Sequence, residues 1–160
     1  MQETRAPERS DPLVDAVLST SRVLVAIAAR SLADAGEHVT LPQYRALVVL
    51  ASRGPSGLAE LAEAVSVTPP TASRMCERLV KKGLVSRRHE KTDRRQVRLG
   101  LTGAGRKLID EVTERRRAEI ASLVASVPPE DRDSVVGALK QLCERAGEVP
   151  EQDWSLGWDL

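Results

Sequence analysis

The stretch Thr68 to Lys82, TPPTASRMCERLVKK, leaves this chain few folds to choose from. Apolar residues fall at Ala72, Met75, Cys76, Leu79 and Val80, the spacing of a helix with one buried face. Thr68 stands where a side-chain oxygen accepts hydrogen bonds from the orphan N–H groups of a helix start. Pro69 and Pro70 occupy the first turn, where a missing N–H costs little. Gly83 follows the last turn, where a residue free to take positive φ is wanted. The opposite face carries Thr71, Ser73, Arg74, Arg78, Lys81 and Lys82. Hydroxyls and Arg near the start of such a helix can read base edges in a major groove, while Lys and Arg further along meet phosphates. A solvated basic face is the plain alternative, and the flanking sequence decides between them.

On the N-terminal side a short helix is expected over Leu58 to Ala64, presenting Leu58, Leu61, Ala62 and Val65 to a core. Gly57 and Glu60 stand at its N-cap and N3 positions, although Gly lacks a capping oxygen. Ser66-Val67 then turns the chain into the Thr68 helix, the order of a helix-turn-helix. Past Gly83 the period changes to two. Leu84 to His89 and Gln96 to Leu101 read as strands, with Val97, Leu99 and Leu101 on one face. Between them Glu90 to Arg95 forms a polar hairpin tip whose two adjacent arginines suit a wing entering a narrow minor groove.

Charge supports this assignment. Residues 74–98 hold ten Lys/Arg against three Asp/Glu, a local +7, within a chain whose net charge is only +1. A basic patch on an otherwise acidic body is the footprint of a nucleic-acid partner. With no Phe, one Tyr and two Trp, the chain has little on which to stack single-stranded bases.

Residues 1–11 are expected to form a disordered tail. From Pro12 to about residue 35, Leu13, Val17, Leu24, Ile27 and Ser31 make a near-heptad stripe widened by Leu18, Val23 and Val25, which needs a partner surface. A second helix opens at Thr40-Leu41-Pro42 and reaches Arg53, and Gly54 to Gly57 is a dense breaker. A long helix is expected from Ala104 to Ser126, with Leu108, Ile109, Val112, Ile120, Leu123 and Val124 as its stripe and Arg115 to Arg117 a solvated interruption. A last helix, Glu130 to Ala146, carries Val135, Val136, Leu139, Leu142 and Cys143. Trp154 and Trp158 in the tail are expected to pack onto their own subunit or its dimer mate.

The fold expected is mainly α with a small β-wing: a winged helix-turn-helix plus a helical dimerisation region. Its parts are a tail at 1–11, a dimerisation helix at 12–36, a DNA-binding domain at 37–102, dimerisation helices at 103–147 and a tail at 148–160. The stripe of residues 13–31 and the apolar faces of the last two helices exceed what a winged domain alone can bury, which predicts a homodimer. No apolar run is read as long enough to span a bilayer, so no membrane partner and a reduced cytoplasmic setting are expected. Cys76 and Cys143, with His38 and His89, lack the spacing of a metal set, and both thiols are expected in the core. No cofactor is called for.

The sequence resembles the MarR family of winged helix-turn-helix regulators over roughly residues 12–147. The matching words are Glu60-Leu61-Ala62, Val67-Thr68-Pro69-Pro70-Thr71, Leu79-Val80-Lys81-Lys82-Gly83-Leu84-Val85, Asp93-Arg94-Arg95 and Leu101-Thr102. The resemblance implies a symmetric dimer on a palindromic double-stranded site, often released by a small anionic or phenolic effector. It implies a recognition surface of Thr68, Pro70, Thr71, Ser73, Arg74, Arg78 and Lys81. At the wing it implies that Asp93 braces the tip, Arg95 reaches the minor groove and Arg94 meets a phosphate. Gly57 departs from the capping Thr or Ser usual there, which predicts fraying of the first motif helix.

The leading reading is therefore a dimeric DNA-binding repressor with a small-molecule effector. The alternatives are a winged-helix protein-interaction module, which the local +7 opposes, and a Cys-based redox-sensing regulator. An enzyme is disfavoured, because the sequence offers no nucleophile–base pair, phosphate-cradling loop or metal cluster.

Overall fold

A computed structural model describes residues 11–35, 38–89, 97–150 and 154. Its elements run α1 (Pro12–Ala33), α2 (Leu41–Arg53), α3 (Leu58–Ala64), α4 (Pro69–Lys81), β1 (Val85–His89), β2 (Val97–Leu101), α5 (Gly103–Val124), a 3-10 turn (Pro129–Asp131) and α6 (Arg132–Arg145). This is the mainly helical fold with a two-stranded wing that the sequence predicts.

Helix starts follow local chemistry. Asp11 belongs to α1 as its N-cap rather than to the tail, accepting from the Leu13 N–H at 2.9 Å. Thr40 and Gln43 form a reciprocal capping box on α2, with bonds of 3.4 and 3.0 Å. Three helices, α3, α4 and α6, end in the same pair of backbone bonds, a 6→1 and a 5→2, that close a left-handed turn. Gly83 takes that turn after α4 with φ 71°, but after α3 it falls to Ser66 at φ 56°.

The core is assembled around α2, whose Ala46, Leu47, Val49, Leu50 and Ala51 are buried. Leu61 of α3, Met75, Cys76 and Leu79 of α4, Leu99 and Leu101 of β2, and Leu108, Ile109 and Val112 of α5 close over it. The strands pair antiparallel with Val85 opposite Leu101 and Arg87 opposite Leu99. The expected breaker also contributes to the sheet: Ser56 and Leu99 exchange bonds of 3.0 and 2.8 Å, extending the wing on its inner side.

Several expectations need correction. Val97 does not share the buried face of Leu99 and Leu101; it is 41% exposed, because the hairpin projects beyond the core there. The last helix begins with a 3-10 turn after Pro128-Pro129, and α6 proper starts only at Arg132. Cys143, expected in the core, is exposed, since α6 packs mainly against its own adjoining turn. Arg115 and Arg116 are half-buried rather than solvated. Finally, α1 is long and apolar enough by composition to cross a membrane, contrary to the sequence reading. Ile27, Ser31 and Leu32 are nevertheless buried within the fold, and an Arg30–Glu119 pair at 2.6 Å ties α1 to α5.

Candidate nucleic-acid interface

The tight turn Val65-Ser66-Val67 delivers α4 with one face sealed and the other free. Ala72, Met75, Cys76 and Leu79 are buried. Thr68, Pro70, Thr71, Arg74, Arg78 and Lys81 are all exposed on the far side, and Ser73 is half-buried. The amphipathic split expected from the sequence is therefore present, and these residues share one surface of one helix. No acidic residue lies in its first turn, so the positive end of the helix dipole is left uncompensated by any residue there.

The polar contacts differ in detail from expectation. Thr68 is the N-cap by backbone conformation, φ −70° and ψ 150°, but its hydroxyl makes no capping bond. It shares a 3.0 Å hydrogen bond with the Thr71 hydroxyl instead. With prolines at both positions following the cap, the first N–H groups are absent and the hydroxyl turns outward to a neighbour. The Ser73 hydroxyl donates to the Glu77 carboxylate at 3.1 Å. That bond holds Ser73 along the helix rather than leaving it a free donor.

Asp93, Arg94 and Arg95 lie outside the described residues, as does Trp158. The described base of the wing places Arg87 and Arg88 on β1, both exposed, and Arg88 opposite Arg98 across the ladder. Arg98 reaches back to α3, where its Nη1 donates to Glu60 Oε2 at 2.9 Å. The same oxygen accepts the Gly57 N–H at 2.8 Å. The start of α3, predicted to fray for want of a capping oxygen, is thus held from the N3 side and from the wing. The capping-box spacing of Gly57 and Glu60 was visible in the sequence; the third partner, Arg98, was not.

Thr102 makes a second unanticipated junction. Its hydroxyl donates to the Gly83 carbonyl oxygen at 2.6 Å and accepts the Gly105 N–H at 3.1 Å. The end of α4 and the start of α5 therefore meet on one side chain.

Cys76 is completely buried. Burial pushes its thiol pKa up, opposed by the nearby Arg87 charge and reinforced by Glu77. A raised thiol pKa keeps the sulfur protonated and unreactive, the opposite of what a redox sensor needs. Among the described residues no group of His, Cys, Asp and Glu is arranged to hold a metal ion.

Comparison with known proteins agrees with this geometry. Residues 39–97, from the residue before the α2 cap to the first residue of β2, match the sequence model of the MarR family. The crystal structure of RV1404 from Mycobacterium tuberculosis is 43% identical, covers 91% of this chain and 99% of its own, and superposes with a TM-score of 0.82. The HTH-type transcriptional repressor MdtR of Bacillus subtilis is 29% identical over 121 residues, 76% of this chain and 78% of its own. BpsR of Bordetella bronchiseptica, described by a mechanism for regulation of its DNA binding by 6-hydroxynicotinic acid, is 25% identical. The match covers 86% of this chain and 97% of BpsR, with a TM-score of 0.62. A helix-turn-helix with an exposed basic recognition helix, a wing tied to its first helix, and this likeness to solved and curated regulators together make the chain a member of the MarR family of DNA-binding transcriptional regulators.

Proposed function

We propose that the protein acts as a homodimer on a palindromic duplex operator, as a repressor released by a small-molecule effector. The observation that carries the dimer is the location of the exposed large hydrophobics. Leu13, Val14, Val17, Leu18, Val23, Leu24 and Val25 lie on α1, Leu123 and Val124 at the end of α5, and Val135, Val136, Leu139 and Leu142 on α6. Among the described residues only Val97 lies elsewhere. An apolar surface of this extent, confined to the helices outside the DNA-binding core, is the face of an obligate partner. A second copy supplies the same three helices, which suits an isologous contact.

In this reading Thr68, Pro70, Thr71 and Arg74 approach base edges, Ser73 joins them when its hydroxyl turns from Glu77, and Arg78 and Lys81 meet phosphates. Asp93, Arg94 and Arg95 act at the wing, with Arg95 in the minor groove. Two recognition helices then enter successive major grooves about 34–36 Å apart. Repression follows the example of MdtR, and effector release that of BpsR, whose DNA binding is the regulated property. As a regulator of transcription the protein would work in the cytoplasm.

Sedimentation of the protein with and without duplex, combined with genome-wide mapping of bound sites, tests the reading. The expected result is a dimer on palindromic sites with half-sites about 10 bp apart centre to centre. A well-folded monomer binding single half-sites with full affinity would overturn it. The redox alternative finds no support in Cys76, which is buried and protonated.

A further inference from the structure

The described residues after α6 turn back onto the molecule. Gly147, at φ 68°, reverses the chain, and Glu148 returns to α2. Its carboxylate takes both arms of the Arg45 guanidinium, Nη1 to Oε1 at 2.9 Å and Nη2 to Oε2 at 2.6 Å. Trp154 follows, half-buried against the core, with its indole N–H donating to the Val149 carbonyl at 3.0 Å. We propose that Glu148 is a positioning residue for DNA recognition, tying the end of α6 to the DNA-binding core through Arg45 and so setting the separation of the two recognition helices.

The placement of the two ends carries this. Arg45 rides on α2, whose neighbouring residues Ala46 and Leu47 are fully buried in the core against which α4 is seated. Glu148 is rooted at the end of α6, whose apolar face is left open among the described residues. In the dimer proposed above, on which this inference rests, α6 belongs to the shared helical frame and α2 to the DNA-binding core. Bidentate Arg–carboxylate geometry fixes both distance and angle, which a single bond does not.

The surroundings make the carboxylate hard to replace. Arg53 and Arg116 also hold the Glu148 carboxyl below its ordinary range, after the dominant Arg45 bond. Arg116 Nε and Arg115 Nη1 are shielded from water, and neither has a partner among the described residues. Neutralising Glu148 therefore leaves the Arg45 guanidinium without its bidentate partner and removes an anion that also interacts with Arg53 and Arg116.

The test uses the full-length protein on duplexes in which the half-site separation is varied one base pair at a time. Wild type is expected to prefer one separation. Glu148→Gln should weaken binding there about fivefold, the scale of one bidentate surface pair, and level the affinities at neighbouring separations. Base preference within each half-site should stay unchanged. Arg45→Met should reproduce the levelling, and the double variant should add little to either single change. Melting temperatures identify any variant that fails to fold. An Glu148→Gln protein that stays folded and keeps the wild-type separation profile, or that weakens equally at every separation, overturns the positioning role while leaving the dimer intact. A monomeric wild type overturns both.

Discussion

The Thr102 hydroxyl donates a 2.6 Å hydrogen bond to the carbonyl oxygen of Gly83. The last turn of the recognition helix and the first turn of the long α5 are thereby joined through one side chain, which also caps α5 by accepting the Gly105 N–H. The Thr102 N–H adds a bond to the Leu84 carbonyl at 3.1 Å.

Thr102→Val keeps the shape and removes both side-chain bonds. It should destabilise the fold by about 1–2 kcal/mol, the usual cost of losing an N-cap. Thr102→Ser should stay within about 0.5 kcal/mol of wild type, because the hydroxyl is retained. Urea unfolding of the two variants checks this. A loss in Thr102→Ser with none in Thr102→Val would show that the methyl group, not the hydroxyl, matters.

Gly105 and Gly103 should respond to alanine with opposite signs. A Cβ at Gly105 would stand 2.3 Å from the Leu84 carbonyl oxygen and 2.7 Å from Leu101 Cδ1, so α5 must shift. Overpacking of that kind costs about 1–3 kcal/mol, more than the ~1 kcal/mol that alanine gains in helix propensity. At Gly103 nothing lies within 4 Å of the added carbon. There Gly103→Ala should be neutral or stabilising by up to ~1 kcal/mol. Denaturation midpoints of the pair decide.

Ser66 occupies a left-handed backbone conformation, φ 56°, in the turn before the recognition helix. A side chain there costs about 1–2 kcal/mol, partly offset by the greater chain entropy glycine loses on folding. Ser66→Gly should therefore stabilise the protein by about 0.5–1 kcal/mol. Gly83→Ala, at φ 71° with open space around it, should destabilise by a similar amount through backbone strain alone.

On the recognition helix, Arg74→Ala should cost about 1–3 kcal/mol of binding and relax preference at one position per half-site. Lys81→Ala should weaken all sequences alike and reduce the salt dependence by about one phosphate contact. At the wing, Arg95→Ala should weaken sites with A·T-rich flanks most, and Asp93→Ala should give a milder form of the same defect. Tighter binding by Asp93→Ala at matched salt would refute the bracing role.

Glu148 links stability to pH. The Arg45 bond lowers its carboxyl pKa in the folded protein, and the nearby Arg53 and Arg116 charges act in the same direction against partial burial. Its contribution is complete above the ordinary carboxylate range and is lost as pH falls through the lowered folded value. Wild type should lose stability over that acid window faster than Glu148→Gln, which has no proton to take up there. Parallel acid-unfolding curves would contradict the assignment.

What could be read from residues alone was whatever depends on neighbours in the chain. The 3.6-residue period of Ala72, Met75, Cys76 and Leu79 specified a half-buried helix, and Gly83 its end, because side-chain spacing and backbone φ are local properties. Leu61-Ala62 before the turn and the alternation of Leu99 and Leu101 after it were enough to order helix, turn, helix and wing. Contacts between residues distant in sequence were not legible. Glu60 read as half a capping box, and only the packing of β2 beside α3 makes it the partner of Arg98. Cys143 lay on an apolar stripe, but a stripe records hydrophobicity, not what covers it, and among the described residues it stays exposed. Arg45 and Glu148, 103 positions apart, met only because the turn at Gly147 returns the chain to α2. Period and propensity act within a few residues, whereas pairing across the molecule is decided by how the finished elements fill space around one core.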